Sequence, residues 1–302
     1  MSIGQMRGLM AGMLALGLVA CGSETTDNAT QADVLSEGAG FVGLVATLLS
    51  DSDVAAGKSL GFATASAGRK TAVTTHCDAG GTVSHDAETG RTEYSQCVTR
   101  YVQGDYVLTS TVDGVEIIRE TGCPDSGCEA QTRYYLDQYG ENGEPLTAQT
   151  ADSDGEDVIS TLLLDDQYSI TDLADGTAYT SVLDGVVTTR DRARGGPELR
   201  LVYQQTRFAE VETSTGYSLE IDGAFTANAG AISPGCGQGA VSFETTTPIQ
   251  FDASNALVAG ALNLLLSDDR VVQVRVEQGV FVLESEGASR RYSVDELQQL
   301  CS

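Results

Sequence analysis

Tryptophan is missing from this chain, lysine occurs only as Lys58 and Lys70, and histidine only as His76 and His85. Each scarcity removes a class of function. Without tryptophan, a carbohydrate-stacking platform has only tyrosine and phenylalanine to draw on. Lys and Arg together number 17 against 43 Asp and Glu, a net charge of -26 at pH 7. Phosphate backbones and anionic lipid require clustered cations, so nucleic acid is excluded as a partner of the folded body. The two histidines lack the i, i+4 spacing of a zinc-protease helix, and His76 adjoins Cys77, so nothing in the pattern nominates a zinc site. No Gly-x-Ser-x-Gly elbow occurs. Carboxylate pairs stay open only because so many acids are present, and that abundance makes any one nomination arbitrary.

Long apolar runs are missing too. The start, Met1 to Arg7, carries one basic residue, and thirteen uncharged residues follow from Gly8 to Ala20. Spanning a hydrocarbon core of about 30 Å takes a helix of about 20 residues, so this stretch is too short to cross. A basic start and a short apolar segment predict a signal peptide over 1–20, outside the fold. Leu18-Val19-Ala20-Cys21 resembles the lipobox of bacterial lipoproteins, in which a small residue precedes a cysteine that becomes the lipidated N-terminus. The resemblance implies cleavage ahead of Cys21 and attachment to a membrane through lipids on that cysteine. Gly22 is not the aspartate that retains such proteins at the inner membrane, which implies a lipid-anchored, periplasm-facing place at the outer membrane of a Gram-negative cell. From Gly22 to Gln31 no apolar residue exceeds alanine. Residues 21–33 are therefore predicted as the lipidated cysteine and a flexible tether.

Export bears on the six remaining cysteines, an even number that argues for disulfides. Six cysteines allow fifteen pairings, and the pairing preferred here is Cys77-Cys97, Cys123-Cys128 and Cys236-Cys301. Short loops favour the first two, because their ends meet often; the third is what remains. Four residues separate Cys123 from Cys128, not the two of a thioredoxin-like redox motif.

Beyond the tether, Phe41, Leu44, Val45, Leu48 and Leu49 form a helical stripe, and Gly38, Gly40 and Gly43 confine the predicted helix to 40–50. From Thr71 the period changes to two. Leu199, Leu201 and Tyr203 alternate with polar neighbours, as do Tyr217, Leu219 and Ile221. This is the pattern of half-buried antiparallel strands. Asp113-Gly114, Asp184-Gly185 and Asp222-Gly223 are predicted as tight hairpin turns. Ser293 and Glu296 form a capping box that starts a terminal helix at 294–300. The fold class expected is mainly β: a large antiparallel sheet, curled or folded into a sandwich, built from Gly/Asp-turn hairpins, with a short N-terminal and a short C-terminal helix. A β domain over 34–232 and a C-terminal β module over 233–302 are predicted, with the option that they share one sheet. The body resembles a loose group of poorly characterised β-rich bacterial lipoproteins, through Cys77 to Gly81, Cys97, and the Cys236 to Val241 segment. That resemblance implies no activity.

Two surface clusters remain. Asp152, Asp154, Glu156 and Asp157 crowd Gly155 and could offer hard oxygens to calcium. They depart from an EF-hand loop, with glycine fourth and Leu163 twelfth, and a solvated turn is the plainer reading. No other cofactor is expected. Arg190, Arg192 and Arg194 are the one dense basic cluster; the plainer reading is neutralisation of neighbouring carboxylates, and the functional one is a contact for an acidic partner or another copy of the protein. Gly57-Lys58-Ser59 ends like a phosphate-binding loop, but Ser52 stands where that motif needs glycine. The leading expectation is a non-enzymatic envelope lipoprotein that binds or scaffolds an envelope protein. The alternative is a carrier of lipid or another hydrophobic ligand beneath the helix at 40–50. A carboxylate-based hydrolase comes third.

Overall fold

The computed structural model describes residues 31–50, 73–122, 131–193, 195–231, 233–254 and 256–301. Among the described residues, helix α1 (Gln31–Ser50) precedes fifteen strands, and a short helix, α2 (Val294–Gln299), follows them. The strands are β1 (Val73–His76), β2 (Gly80–Asp86), β3 (Arg91–Gln103), β4 (Tyr106–Thr121), β5 (Thr132–Tyr139), β6 (Leu146–Asp152), β7 (Asp157–Asp172) and β8 (Gly176–Asp191). After these come β9 (Glu198–Thr213), β10 (Gly216–Asn228), β11 (Gln238–Asp252), β12 (Leu257–Leu266), β13 (Val271–Glu277), β14 (Val280–Ser285) and β15 (Ala288–Tyr292). All fifteen belong to one antiparallel meander in which neighbours in sequence are neighbours in the sheet. One position is shared. β5 and β6 lie end to end between β4 and β7, separated by an excursion over 140–145. Strands β10 and β11 pair from Gly216↔Asp252 to Asn228↔Gln238, so the two modules divided at 233 share one sheet.

The Asp-Gly dipeptides are not hairpin turns. Each sits inside a long strand, β4, β8 or β10, where the register slips by one residue. Facing them, Gln96 on β3 and Gln205 on β9 take positive φ of 47° and 51°. These are β-bulges, which insert an extra residue and bend the strand. The aspartate satisfies the disturbed neighbour: Gln96 N donates to Asp113 Oδ1 at 3.0 Å, and Thr245 N donates to Asp222 Oδ1 at 2.8 Å. The glycine admits the adjoining backbone. A Cβ on Gly185 would lie 2.3 Å from the Leu163 carbonyl oxygen. On β9 the buried set switches from Leu199, Leu201 and Tyr203 to Thr206 and Phe208, as one extra residue requires. True hairpin tips include Gln278-Gly279 and Glu286-Gly287, where both residues have positive φ, the signature of a type I′ turn.

One face of β7 to β14 forms the main core around α1. Phe41 and Phe225 meet edge to face at 6.2 Å, and Phe225 stacks on Phe243 at 5.2 Å. The helix is longer than the 40–50 expected and begins inside the predicted tether. Its glycines explain the difference. A Cβ on Gly40 would lie 2.6 Å from the Gly235 carbonyl oxygen, and one on Gly43 would lie 2.3 Å from that of Leu297. Each glycine costs an isolated helix about 1 kcal/mol relative to alanine. Here they let the helix backbone touch the 233–237 loop and α2. Helix α2 starts at Ser293 with the capping box complete.

Candidate functional site

Strand ends define two rims of the sheet. One carries the turns at 104–105, 153–156, 192–197, 229–237, 267–270 and 286–287, and the other carries those at 87–90, 173–175, 214–215, 253–256 and 278–279. The N-terminal part of α1 lies at the first rim. Glu37 is paired with Arg270 at 3.2 Å, and Ser36 Oγ accepts from Arg290 at 3.2 Å. Burial raises the Glu37 carboxyl above its usual range despite the guanidinium beside it. Gly40 packs on the 235–237 backbone of the same rim.

Cys77 is bonded to Cys97, and Cys236 to Cys301. Cys301 lies with its sulfur 3.6 Å from the Gly40 carbonyl oxygen, and Ser233 Oγ donates to the Leu300 carbonyl at 2.7 Å, so the second bridge fastens loop and α2 against α1. Cys21, Cys123, Cys128 and Arg194 lie outside the described residues. Arg190, next to last in β8, lies opposite Glu198 and is exposed. Arg192 lies 3.8 Å from Asp157. Among the described residues, Arg190 and Arg192 lie close together at the first rim.

The acidic turn is occupied with itself. Asp152 Oδ1 accepts from the amides of Asp154 and Glu156, both at 2.9 Å, and Asp152 Oδ2 accepts from Tyr106 at 3.3 Å. Asp157 Oδ1 accepts from Gln149 at 2.7 Å. Among the described residues, no group of three or more His, Cys, Asp or Glu is placed to hold a metal ion. His85 Nδ1 lies 3.0 Å from Thr92 Oγ1, and His76 is exposed on the edge strand β1.

A buried acid–tyrosine network escaped the sequence reading. Asp137 on β5 and Asp166 on β7 are direct register partners, 3% and 8% exposed. Tyr139 donates to Asp137 Oδ2 at 3.1 Å, and Ser181 to Asp166 Oδ1 at 2.5 Å. Nearby, Tyr94 donates to Glu116 at 3.0 Å. Burial, then the charge of Asp137, pushes the Tyr139 hydroxyl well above its ordinary range. Burial and Glu116 do the same to Tyr94. Both phenols therefore stay protonated donors. Farther along the same face, Tyr135 stacks on Tyr168 at 4.9 Å, and Tyr168 on Tyr179 at 5.6 Å. The overlooked signal was Asp166 itself, which interrupts the inward series Val158, Ser160, Leu162, Leu164, Tyr168 and Ile170 on β7.

These are close carboxylates, but both are closed off from solvent, and substrate would need access to them. Like charges directly opposite on a sheet destabilise it. Replacing Asp166 by asparagine, which keeps an acceptor for Ser181, is expected to raise stability at mildly alkaline pH by up to about 1 kcal/mol. Urea titration would check this, and a lowered midpoint would mean that the carboxylate at 166 stabilises the sheet.

A 570 Å³ groove lies over the first-rim end of β13 to β15, with Arg270, Gln273, Glu284 and Ser289 on its walls. No protein-family model, curated protein or solved structure matches this chain. Among the described residues, no helix is long and apolar enough to cross a membrane.

Proposed function

We propose that this protein is a cell-envelope lipoprotein, cut ahead of Cys21, attached to the outer membrane through lipids on that cysteine, and acting on the periplasmic side by binding or scaffolding. The observation that carries the reading is the run Leu18-Val19-Ala20-Cys21, and the place of α1 sets how such an anchor is coupled to the body. Nine residues separate Cys21 from Gln31, and α1 is part of the main core. The anchor is thus coupled to a rigid body through a tether whose root-mean-square reach as a flexible coil is roughly 17 Å. A surface-binding role is favoured over carriage beneath the helix, because Phe41, Leu44 and Val45 fill that space against the sheet.

The test is direct. Intact mass of the membrane fraction is expected to show a chain that begins at Cys21 with acyl mass on its first residue. Replacing Cys21 by serine is expected to abolish detergent partitioning and to give soluble or uncleaved protein. The spacer has no apolar residue larger than alanine to hold a bilayer, and acyl burial contributes about 0.8 kcal/mol per methylene. An unmodified N-terminus at any other position would sink the proposal.

A further inference from the structure

We propose that Asn142 is a site of spontaneous deamidation, at which the Gly143 amide nitrogen displaces ammonia from the asparagine side chain. Among the described residues, asparagine stands at 142, 228 and 263, and only Asn142 precedes glycine. Asn142 and Gly143 form the exposed tip of the 140–145 excursion between β5 and β6. Glu141 N donates to the Glu144 carbonyl and Glu144 N to that of Glu141, both at 2.9 Å. Asn142 and Gly143 have φ of 55° and 83°, the two-residue type I′ turn for which Asn-Gly is a preferred pair. Among the described residues, neither the Gly143 amide nor the Asn142 carboxamide has a hydrogen-bond partner. Nucleophile and electrophile are therefore adjacent, exposed and unoccupied.

The surroundings set this pair apart. Asn228 is held at both ends, accepting from Arg200 N at 2.5 Å and donating to the Glu198 carbonyl at 2.8 Å. Asn263 lies inside β12 and donates to Glu244 at 3.2 Å. The Asp-Gly pairs within β4, β8 and β10 could close the same ring, but their glycines are wedged in the sheet. A Cβ on Gly114, Gly185 or Gly223 would lie 3.0, 2.3 or 2.5 Å from neighbouring backbone, whereas one on Gly143 would meet no described atom within 4 Å. Attack requires rotation about Asn142 until the nitrogen reaches Cγ. Two hydrogen bonds at a loop tip resist that rotation little, because such tips open at small free energy. The nitrogen must also lose its proton, which nearby negative charge opposes. Arg91, bonded to Glu141 at 3.0 Å, offsets part of that charge. The bond from nitrogen to Cγ forms, the bond from Cγ to the side-chain nitrogen breaks, and ammonia leaves with the proton. Water then opens the succinimide to aspartate or isoaspartate, with no oxidant or reductant involved. Isoaspartate lengthens the backbone by one carbon, so the two Glu141–Glu144 bonds cannot both persist.

The folded full chain and a synthetic peptide of residues 138–147 are incubated side by side near neutral pH and sampled by peptide mass spectrometry. Fragmentation locates each exchange of side-chain NH2 for OH and distinguishes isoaspartate from aspartate. Asn142 in the folded chain is expected to convert within about tenfold of the peptide's rate, as an opening of small free energy implies. The rate is expected to rise several-fold per unit of pH, as more of the amide nitrogen is deprotonated. Isoaspartate is expected among the products, and Asn228 and Asn263 are expected to stay intact over the same period. Asn142→Gln, which would need a six-membered ring, is expected to show no conversion at 142. A folded-chain rate below about one-hundredth of the peptide's would show that the turn shields the nitrogen, and would overturn the proposal. Aspartate without isoaspartate, or equal conversion in the glutamine variant, would mean direct hydrolysis by water and overturn the ring-closing step. Equal conversion at 142, 228 and 263 would overturn the selection of this tip.

Discussion

Replacing Gly43 by valine is expected to lower the stability of the body by about 3 kcal/mol, the upper end of what overpacking costs. The first atom added would lie 2.3 Å from the Leu297 carbonyl oxygen. That oxygen belongs to backbone in α2, which Cys301 and the Ser233–Leu300 hydrogen bond hold in place, so it has little room to give. Either α1 or α2 must move, and the packing of Phe41 and Leu44 moves with α1. Urea unfolding followed by far-ultraviolet circular dichroism would record the shift. A midpoint equal to that of the unmodified protein would show that the two helices do not approach as closely as described. Gly40→Val is expected to act in the same direction, against the Gly235 carbonyl oxygen at 2.6 Å.

Removing the bridge between Cys236 and Cys301 by serine at both positions is the other large effect. The bond spans a sequence separation of 65, and cross-linking a loop of that length restrains the unfolded chain by about 4 kcal/mol. Both cysteines are buried in the main core beside α1, so hydroxyls there would also lose packing. The corresponding change at Cys77 and Cys97, with a separation of 20, is expected to cost about 3 kcal/mol. Its reach differs as well, because Cys97 belongs to a small cluster with Tyr94, Val112 and Leu146. Hydrogen exchange would separate the two variants. Loss of the first bridge is expected to expose the amides of α1 and α2, and loss of the second those of β1 to β3. Equal protection of α1 with and without the Cys236–Cys301 bond would show that the bridge does not hold the helix.

Much of the architecture was legible because it depends on neighbours in sequence. Alternation in runs such as Leu199, Leu201 and Tyr203 reports a half-buried strand whatever the strand pairs with. The Ser293–Glu296 capping box is local, and α2 begins where it predicts. The antiparallel sheet and two helices followed from such patterns, as did the pairing of Cys77 with Cys97.

Three features were not readable in this way, and each depends on a distant contact. The Asp-Gly dipeptides have the same local preference in a hairpin turn as in a bulge, since positive φ at glycine serves both. Only the opposing Gln96 and Gln205 decide for the bulge. Gly38, Gly40 and Gly43 read as helix breakers when propensity is counted along one segment. Their value appears only once the 233–237 loop and α2 pack onto the helix. Asp137 and Asp166 are 29 positions apart in sequence, and register alone sets them face to face. By itself, then, the sequence determined the antiparallel β class, the inward face of each short alternating run and where the last helix starts, because a strand's period and a helix cap act within a few residues. Tertiary structure decided where strands bend, how closely α1 is enclosed and which acids meet, because those outcomes are set by backbones brought together from far along the chain.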